Sequence, residues 1–302
     1  MAAFLLLLMV AAAACGPIRS FRDDRLRTPP YERYVGSLRD AGIHRTTLGS
    51  GWMAAGEGAF DTATALSIPH RGGERFQGDS PSAVAYRVEL RRGQVYRLSL
   101  ESEGGSVMKL FVDVFRIRPG APPQRVTGMG PPSRQLAFEP AEDDTFVVRI
   151  QPELLAGGYV SIAHARRAAL LFPVPGGGRR NVQSFFGAAR SGGRAHQGID
   201  IFAARGTPVV AAADGWISST SPNQLGGNVV WLWDPARGQT LYYAHLDRHA
   251  VTAGQRVRKG DVVGFIGNTG NARTTAPHLH FGIYRRGQGP IDPLYYVVDP
   301  PS

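Results

Sequence analysis

The amino-acid sequence predicts an all-β protein built in two parts, and three observations carry the prediction. Composition comes first: 38 glycines and 22 prolines in 302 residues are too many helix breakers for a bundle or solenoid and suit short strands joined by turns. Next is a change of period, with apolar and polar residues alternating from about Ala83 onwards. The third is length, since 302 residues exceed the usual domain of about 150. Pro173 to Gly178, with three consecutive glycines, separates two blocks of different character. Hydrophobic residues at 43% and charged residues at 19% exclude a disordered chain.

Residues 2–15 are an unbroken apolar run, AAFLLLLMVAAAAC, too short to cross a hydrocarbon core of about 30 Å and suited to the apolar region of a signal peptide. The run ends in Cys15, the single cysteine, which excludes an internal disulfide and any cysteine-built metal site. Ala12-Ala13-Ala14-Cys15-Gly16 resembles the lipobox at which bacterial lipoproteins are cleaved and acylated on the new N-terminal cysteine. That resemblance implies a signal peptide over 1–15 and lipidation of Cys15. With Gly16 next in the chain, it also implies a cell-envelope location, as an outer-membrane lipoprotein facing the periplasm and held to the membrane by its lipid.

Residues 16–54 read as a polar, Arg-rich tether ending in Pro29-Pro30, then a short helical segment from Tyr31 to Ala41 with Tyr34, Leu38 and Ala41 on one side. Over 55–168 the alternation is strong. Val84, Tyr86, Val88 and Leu90, then Tyr96, Leu98 and Leu100 after Arg91-Arg92-Gly93, predict a hairpin. Leu110 to Ile117, Phe146 to Ile150 and Tyr159 to Ile162 continue the rhythm, which makes this segment an antiparallel β-sandwich. It resembles the jelly-roll modules that accompany secreted bacterial proteases, and it carries no catalytic constellation. Its readings are a wall-binding module or a spacer.

From 173 to 302 the glycines recur between Val-rich strands at Thr207 to Ala213, Asn228 to Trp233, Thr240 to Leu246, Asp261 to Ile266 and His278 to Tyr284, a second all-β unit. The net charge of +10 comes almost entirely from arginine, Lys109 and Lys259 being the only lysines. No basic run with interleaved aromatics marks a nucleic-acid face, so nucleic acid is not an expected partner. An anionic wall or membrane surface remains.

Five of the eight histidines, His196, His245, His249, His278 and His280, fall within 85 residues, a clustering that suggests a metal site. An extended backbone puts His196, Gly198 and Asp200 on one face, Gly198 leaving space between two ligands. In Pro277-His278-Leu279-His280-Phe281 both imidazoles share a face while Leu279 and Phe281 point into a core. A hydrolytic zinc site needs three nitrogen or oxygen ligands and an open position for water, which two histidines and Asp200 satisfy. No glutamate follows Glu153, which excludes an H-E-x-x-H zincin, and there is no G-x-S-x-G elbow. The general base should therefore be a histidine. His245 is a candidate, sharing a strand face with Leu241 and Tyr243.

His196-x-x-x-Asp200, Tyr243-Ala244-His245-Leu246 and His278-Leu279-His280-Phe281, with the Gly264, Gly267 and Gly270 turns before the last, resemble the lysostaphin-type or LytM-like murein metallopeptidases. Gly206-Thr207-Pro208-Val209, Gly226-Gly227-Asn228 and Asp292-Pro293 extend the resemblance, which runs from about Asn181 to Val297 within a 173–302 metallopeptidase domain. It implies that His196, Asp200 and His280 bind one Zn²⁺ per chain and that His245 and His278 are the catalytic histidines. It also implies a β-sheet groove for the peptide stems of peptidoglycan, in which the enzyme would hydrolyse peptide cross-links. Some relatives have lost ligands and activate cell-wall amidases. A non-catalytic, wall-binding regulator with cell-wall enzymes as partners is therefore the alternative. Gly282 stands where many relatives carry Glu, and Arg190 where some have a groove tyrosine. His249 reads as a loop histidine, and Trp216, Trp231 and Trp233 as core or groove wall rather than a sugar platform.

Overall fold

The computed structural model describes residues 28–103 and 108–300, so the apolar run and Cys15 lie outside the described residues. Two helices open it, α1 (Pro30–Asp40) and α2 (Thr47–Gly58). The side chain of Thr46 caps α2 by accepting from the Gly49 amide at 3.1 Å. Among the described residues no helix is long and apolar enough to cross a membrane.

Nine strands follow: β1 (Thr64–Ala65), β2 (His70–Phe76), β3 (Val84–Leu90), β4 (Gln94–Ser102), β5 (Leu110–Ile117), β6 (Gln124–Met129), β7 (Gln135–Phe138), β8 (Asp144–Pro152) and β9 (Gly158–Ala168). They form a five-stranded sheet, β1-β3-β8-β5-β6, facing a four-stranded one, β2-β9-β4-β7, and every pairing but that of β1 with β3 is antiparallel. Val88, Leu90, Leu98, Leu100, Val148 and Ile162 are among the side chains closing the core between them.

The expected hairpin of residues 84–100 is not one. β3 pairs with β8 and β4 with β9, so Arg91-Arg92-Gly93 arches from one sheet to the other. Alternation cannot tell the two arrangements apart, because in both the apolar faces of the two strands meet the same core.

The helices cover the outside of the five-stranded sheet, and Leu38 and Trp52 bury themselves against Phe111. Trp52 donates from Nε1 to the Pro152 carbonyl at 2.8 Å, and Gln151 donates to the Trp52 carbonyl at 2.7 Å. Under this cover Arg149 is buried on a strand, donating to Asp113 at 2.8 Å with its guanidinium 3.8 Å from the Tyr31 ring centre.

The C-terminal unit comprises β10 (Val182–Ser184), β11 (Ile199–Phe202), β12 (Pro208–Val210), β13 (Gly215–Ser219), β14 (Asn228–Asp234), β15 (Gln239–His249), β16 (Arg256–Val257), β17 (Val262–Ile266), β18 (His278–Arg285), β19 (Gly289–Ile291) and a last short helix, α3 (Leu294–Val297). The sheet runs β10-β11-β18-β15-β14-β13-β16, with β17 bridging β12 and β15 and β19 on β18. One face is apolar: Ile201, Ile217, Leu232, Leu241, Phe281 and Ile283 meet a core that Tyr296 and Val297 of α3 complete. The other face, open to solvent at Trp216 and Trp233, carries the histidines and a smaller buried cluster of Val229, Tyr242 and Ala244.

The two units are joined by more than chain. The Leu170 amide donates to the Tyr296 carbonyl at 2.8 Å and the Leu171 amide to Ala212 at 2.9 Å. Arg237, of the C-terminal unit, pairs with Glu139 at 3.0 Å and with Asp234 at 3.2 Å.

Candidate metal centre

Asp200 lies on β11 directly opposite His280 on β18. Paired residues on adjacent strands point to the same side, so register alone brings the carboxylate and the imidazole together. His196 precedes β11 and is held by a short hairpin: its amide donates to the Ala188 carbonyl and the Gly187 amide donates to its own carbonyl, both at 2.8 Å. Three ligand atoms converge. His196 Nε2 and His280 Nδ1 are 2.9 Å apart, and each is 3.0 Å from Asp200 Oδ1. Gly198 must be glycine, since a Cβ there would stand 2.8 Å from His280 Cε1 and 2.4 Å from the Phe281 carbonyl oxygen.

The donor chemistry fits a cation. His196 Nδ1 is 2.9 Å from the Phe185 carbonyl, which can only accept, so Nδ1 carries the proton and Nε2 turns its lone pair towards Asp200 and His280. One proton, on His280 Nδ1, cannot relieve all three close contacts between lone-pair atoms. Ligands about 2.0 Å from a tetrahedral zinc stand roughly 3.3 Å apart, so the triangle need open by only a few tenths of an ångström. Among the described residues these three form the one group able to hold a metal ion in this way.

The electrostatics agree. Burial would raise the Asp200 carboxyl, but hydrogen bonding to His196 and His280 holds it far below the ordinary carboxylate range. Burial lowers His280, opposed by its hydrogen bond to Asp200. The second carboxylate oxygen is taken by Arg190, which also donates to Ser184 Oγ at 2.9 Å. This Arg190 contact was not foreseen. The only signal was a cation on the hairpin that carries His196.

His245 corrects the face expected of it. Leu241 and Tyr243 are in the core, and alternation would bury His245 beside them. Instead His245 takes φ +63, a left-handed conformation that non-glycine residues rarely adopt, just where β15 changes partner from β18 to β17. This breaks the period and turns the ring to the open face, 5.0 Å from His278 and 5.9 Å from His280 between centres.

His245 Nδ1 faces the Thr269 carbonyl at 2.9 Å and His278 Nδ1 faces the Ala276 carbonyl at 2.8 Å. Both rings therefore keep Nε2 free as an acceptor. Burial first, then the neighbouring His278 and His280, push His245 down to about 4, so it is neutral at pH 7. Beside it a cleft of about 450 Å³ opens between Pro222–Asn228 and Thr269–Arg273. His249, further along β15, supplies no donor to the cluster.

Residues 194–293 match the peptidase family M23. Over 91 residues, 29% of this chain and 20% of that protein, the sequence is 43% identical to the peptidoglycan DD-endopeptidase ShyC of Vibrio cholerae. It is 42% identical over 109 residues to the DD-carboxypeptidase/endopeptidase Mpg of Neisseria meningitidis, covering 36% of this chain and 24% of that one. The chain thus spans a quarter or less of the length of these relatives. Among solved structures, the catalytic domain of lysostaphin from Staphylococcus simulans is 32% identical, with 38% of this chain and 90% of that chain covered and a TM-score of 0.35.

Proposed function

The C-terminal part of the chain is a peptidase family M23 domain, and from that premise we propose that the protein is a zinc metallo-endopeptidase that hydrolyses peptide cross-links of peptidoglycan. The observation that carries this reading is the convergence of three donor atoms beside two further histidines whose Nε2 atoms are free.

In this proposal His196, Asp200 and His280 would hold the zinc, which when bound would acidify a water and polarise the scissile carbonyl. His245, neutral and fixed by Thr269, accepts a proton at Nε2. The imidazolium so formed would stabilise the oxyanion or return that proton to the leaving amine, and His278, fixed by Ala276 and stacked 4.9 Å from the Phe202 ring, offers a second Nε2 able to take up a proton beside it. A regulator that kept zinc only for structure would have no use for two oriented, unmetallated histidines. Lipidation at Cys15 would tether the enzyme to the outer membrane, facing the wall. The similarity to a DD-endopeptidase and a DD-carboxypeptidase/endopeptidase favours a D-alanyl cross-link as the substrate.

The test is muropeptide analysis of purified sacculi incubated with protein lacking residues 1–15, beside a zinc-chelated control and His245→Ala. Zinc-dependent loss of cross-linked dimers, abolished by the substitution, is the expected result. Unchanged sacculi with zinc bound would favour the regulator.

A further inference from the structure

On the open face of the C-terminal sheet, side chains fall in rows, because paired residues of adjacent strands point the same way. The row of Asp200 and His280 continues to Ala244. One step along the strands, the next row is Gly282, Tyr242 and Trp231. The third is Tyr284, Thr240, Trp233 and Trp216, ending on Arg256. The rings adjoin the donors and one another: Tyr242 lies 5.8 Å from His280, Trp231 4.2 Å from Tyr242 and 5.2 Å from Tyr284, centre to centre.

Trp216 is 43% exposed and Trp233 38%, while their neighbours Ile217 and Leu232 on the reverse face are at most 1% exposed. Single exposed tryptophans are ordinary, but three tryptophans on paired strands leading away from a metal-binding row form a patch that calls for an occupant. Gly282 keeps the middle of the floor low, since a Cβ there would lie 3.1 Å from the Tyr284 ring and 3.6 Å from Tyr242.

We propose that this aromatic floor is a saccharide subsite, holding the glycan strand of peptidoglycan while the donor row acts on the stem peptide attached to it. The proposal rests on the murein-hydrolase reading and adds the part of the polymer that reading leaves unplaced. A sugar ring presents a flat face of C–H groups that packs on an aromatic plane, and a polar rim that Thr240, Ser218 and Arg256 can meet. Arg256 itself sits 5.8 Å from the Trp216 ring centre.

Size argues against a protein partner. Two half-exposed tryptophans offer roughly 100 Å² each, far short of the roughly 800 Å² per side of a stable protein interface. The floor spans three strand spacings of about 4.8 Å, room for a short run of sugar rings. The two aromatic rows contain no carboxylate, which suits neutral, N-acetylated sugars.

The experiment uses the full chain in mild detergent and three substrates: sacculi, soluble cross-linked peptide dimers without sugar, and glycan strands stripped of their peptides. Trp216→Ala/Trp233→Ala should lose strand binding and raise KM on sacculi by roughly tenfold or more, with the rate on sugar-free dimers and the zinc content unchanged. Trp233→Tyr, which keeps a ring, should retain strand binding, and Trp233→Leu, of similar apolar character, should not. These single substitutions decide the matter if the double variant does not fold. Failure of the wild-type chain to bind stripped strands would overturn the proposal. So would equal losses on dimers and sacculi, which would assign the floor to peptide. Failure to cleave either peptide-bearing substrate would instead remove the hydrolase reading, and the strand titration would still report on the floor.

Discussion

Each half of the molecule buries histidine in an antiparallel β framework, and the two burials have opposite outcomes. In the sandwich, His164 on β9 is 1% exposed, with Nδ1 2.8 Å from the Tyr96 hydroxyl and Nε2 without a partner. Its ring neighbours are aromatic, Tyr86 at 4.9 Å and His70 at 6.0 Å. In the C-terminal sheet, His196 is equally hidden, yet its outer nitrogen is satisfied by a carbonyl and its inner one meets a carboxylate and a second imidazole. Burial of an imidazole is therefore no sign of chemistry. What separates the two is a buried anion placed by strand register, and ring nitrogens whose protons are already committed elsewhere.

The contrast is broken most severely by removing a donor. Asp200→Ala or His280→Ala should empty the metal site and lower peptidase activity on the order of 10⁴-fold or more, while the sandwich stays folded. Metal content by mass spectrometry and circular dichroism read the two halves separately. If activity survives without bound metal, the donor triangle is not the site of reaction. Next in size is His245→Ala. It should keep the metal and lose about 10²- to 10⁴-fold in rate, a pattern that distinguishes a proton carrier from a ligand. Loss of metal in this variant would count against that role.

Much of this was legible in the sequence, and the gaps share a cause. Period two found the strands, and the spacing of His278 and His280 on β18 faces them towards Asp200 on β11 through strand register, whereas His196 lies before β11 and is brought to them by the hairpin that holds it. Period two failed where the backbone leaves the regular alternation. At Gly93, with φ +84, an arch between sheets replaced the expected hairpin, and at His245 a left-handed residue reversed the face. α2 was missed because glycine occupies Gly49, Gly51, Gly56 and Gly58, lowering helix propensity in a segment whose helicity comes from packing Trp52 under the sandwich. Trp216 and Trp233 were read as wall or core. Which face of β13 and β14 is covered depends on what packs there, and only three-dimensional pairing reveals that.

The third effect sharpens the comparison through pH. Burial, then His70, pushes His164 down to about 4 in the folded state, against about 6.5 in an unfolded chain. The unfolded chain therefore binds the proton first. The contribution of His164 to stability is full above pH 6.5 and is lost as pH falls through the window from 6.5 to 4. The shift corresponds to roughly 3 kcal/mol across that window. His164→Phe should flatten stability against pH by about that amount, measured by urea unfolding at closely spaced pH values, with zinc affinity and peptidase rate unaltered. An unchanged pH dependence would mean that His164 is not held neutral.

The smallest expected effect concerns how each half treats a buried aspartate. In the sandwich, Asp113 gives one oxygen to Arg125 at 2.7 Å and the other to Arg149 at 2.8 Å, which leaves nothing for a metal. Asp200 has one arginine, Arg190, on Oδ2, and its Oδ1 faces the two imidazoles. Arg190 acts in two opposed ways. Its hydrogen bond fixes the rotation of the carboxylate so that one oxygen stays in the donor triangle, and its charge repels a divalent cation. With the Arg190 side chain 37% exposed the repulsion is screened by water and salt, whereas the hydrogen bond is local, so positioning should dominate. Arg190→Gln is accordingly expected to weaken zinc binding by about tenfold, at the low end for losing a group that orients a ligand. Chelator competition measures this directly, and the rate of the fully loaded protein should change much less than its affinity. Arg149→Gln, the matching change in the sandwich, should leave zinc affinity where it was. A rise in affinity for Arg190→Gln would reverse the assignment, making its charge the larger influence and the arginine a brake on metal binding.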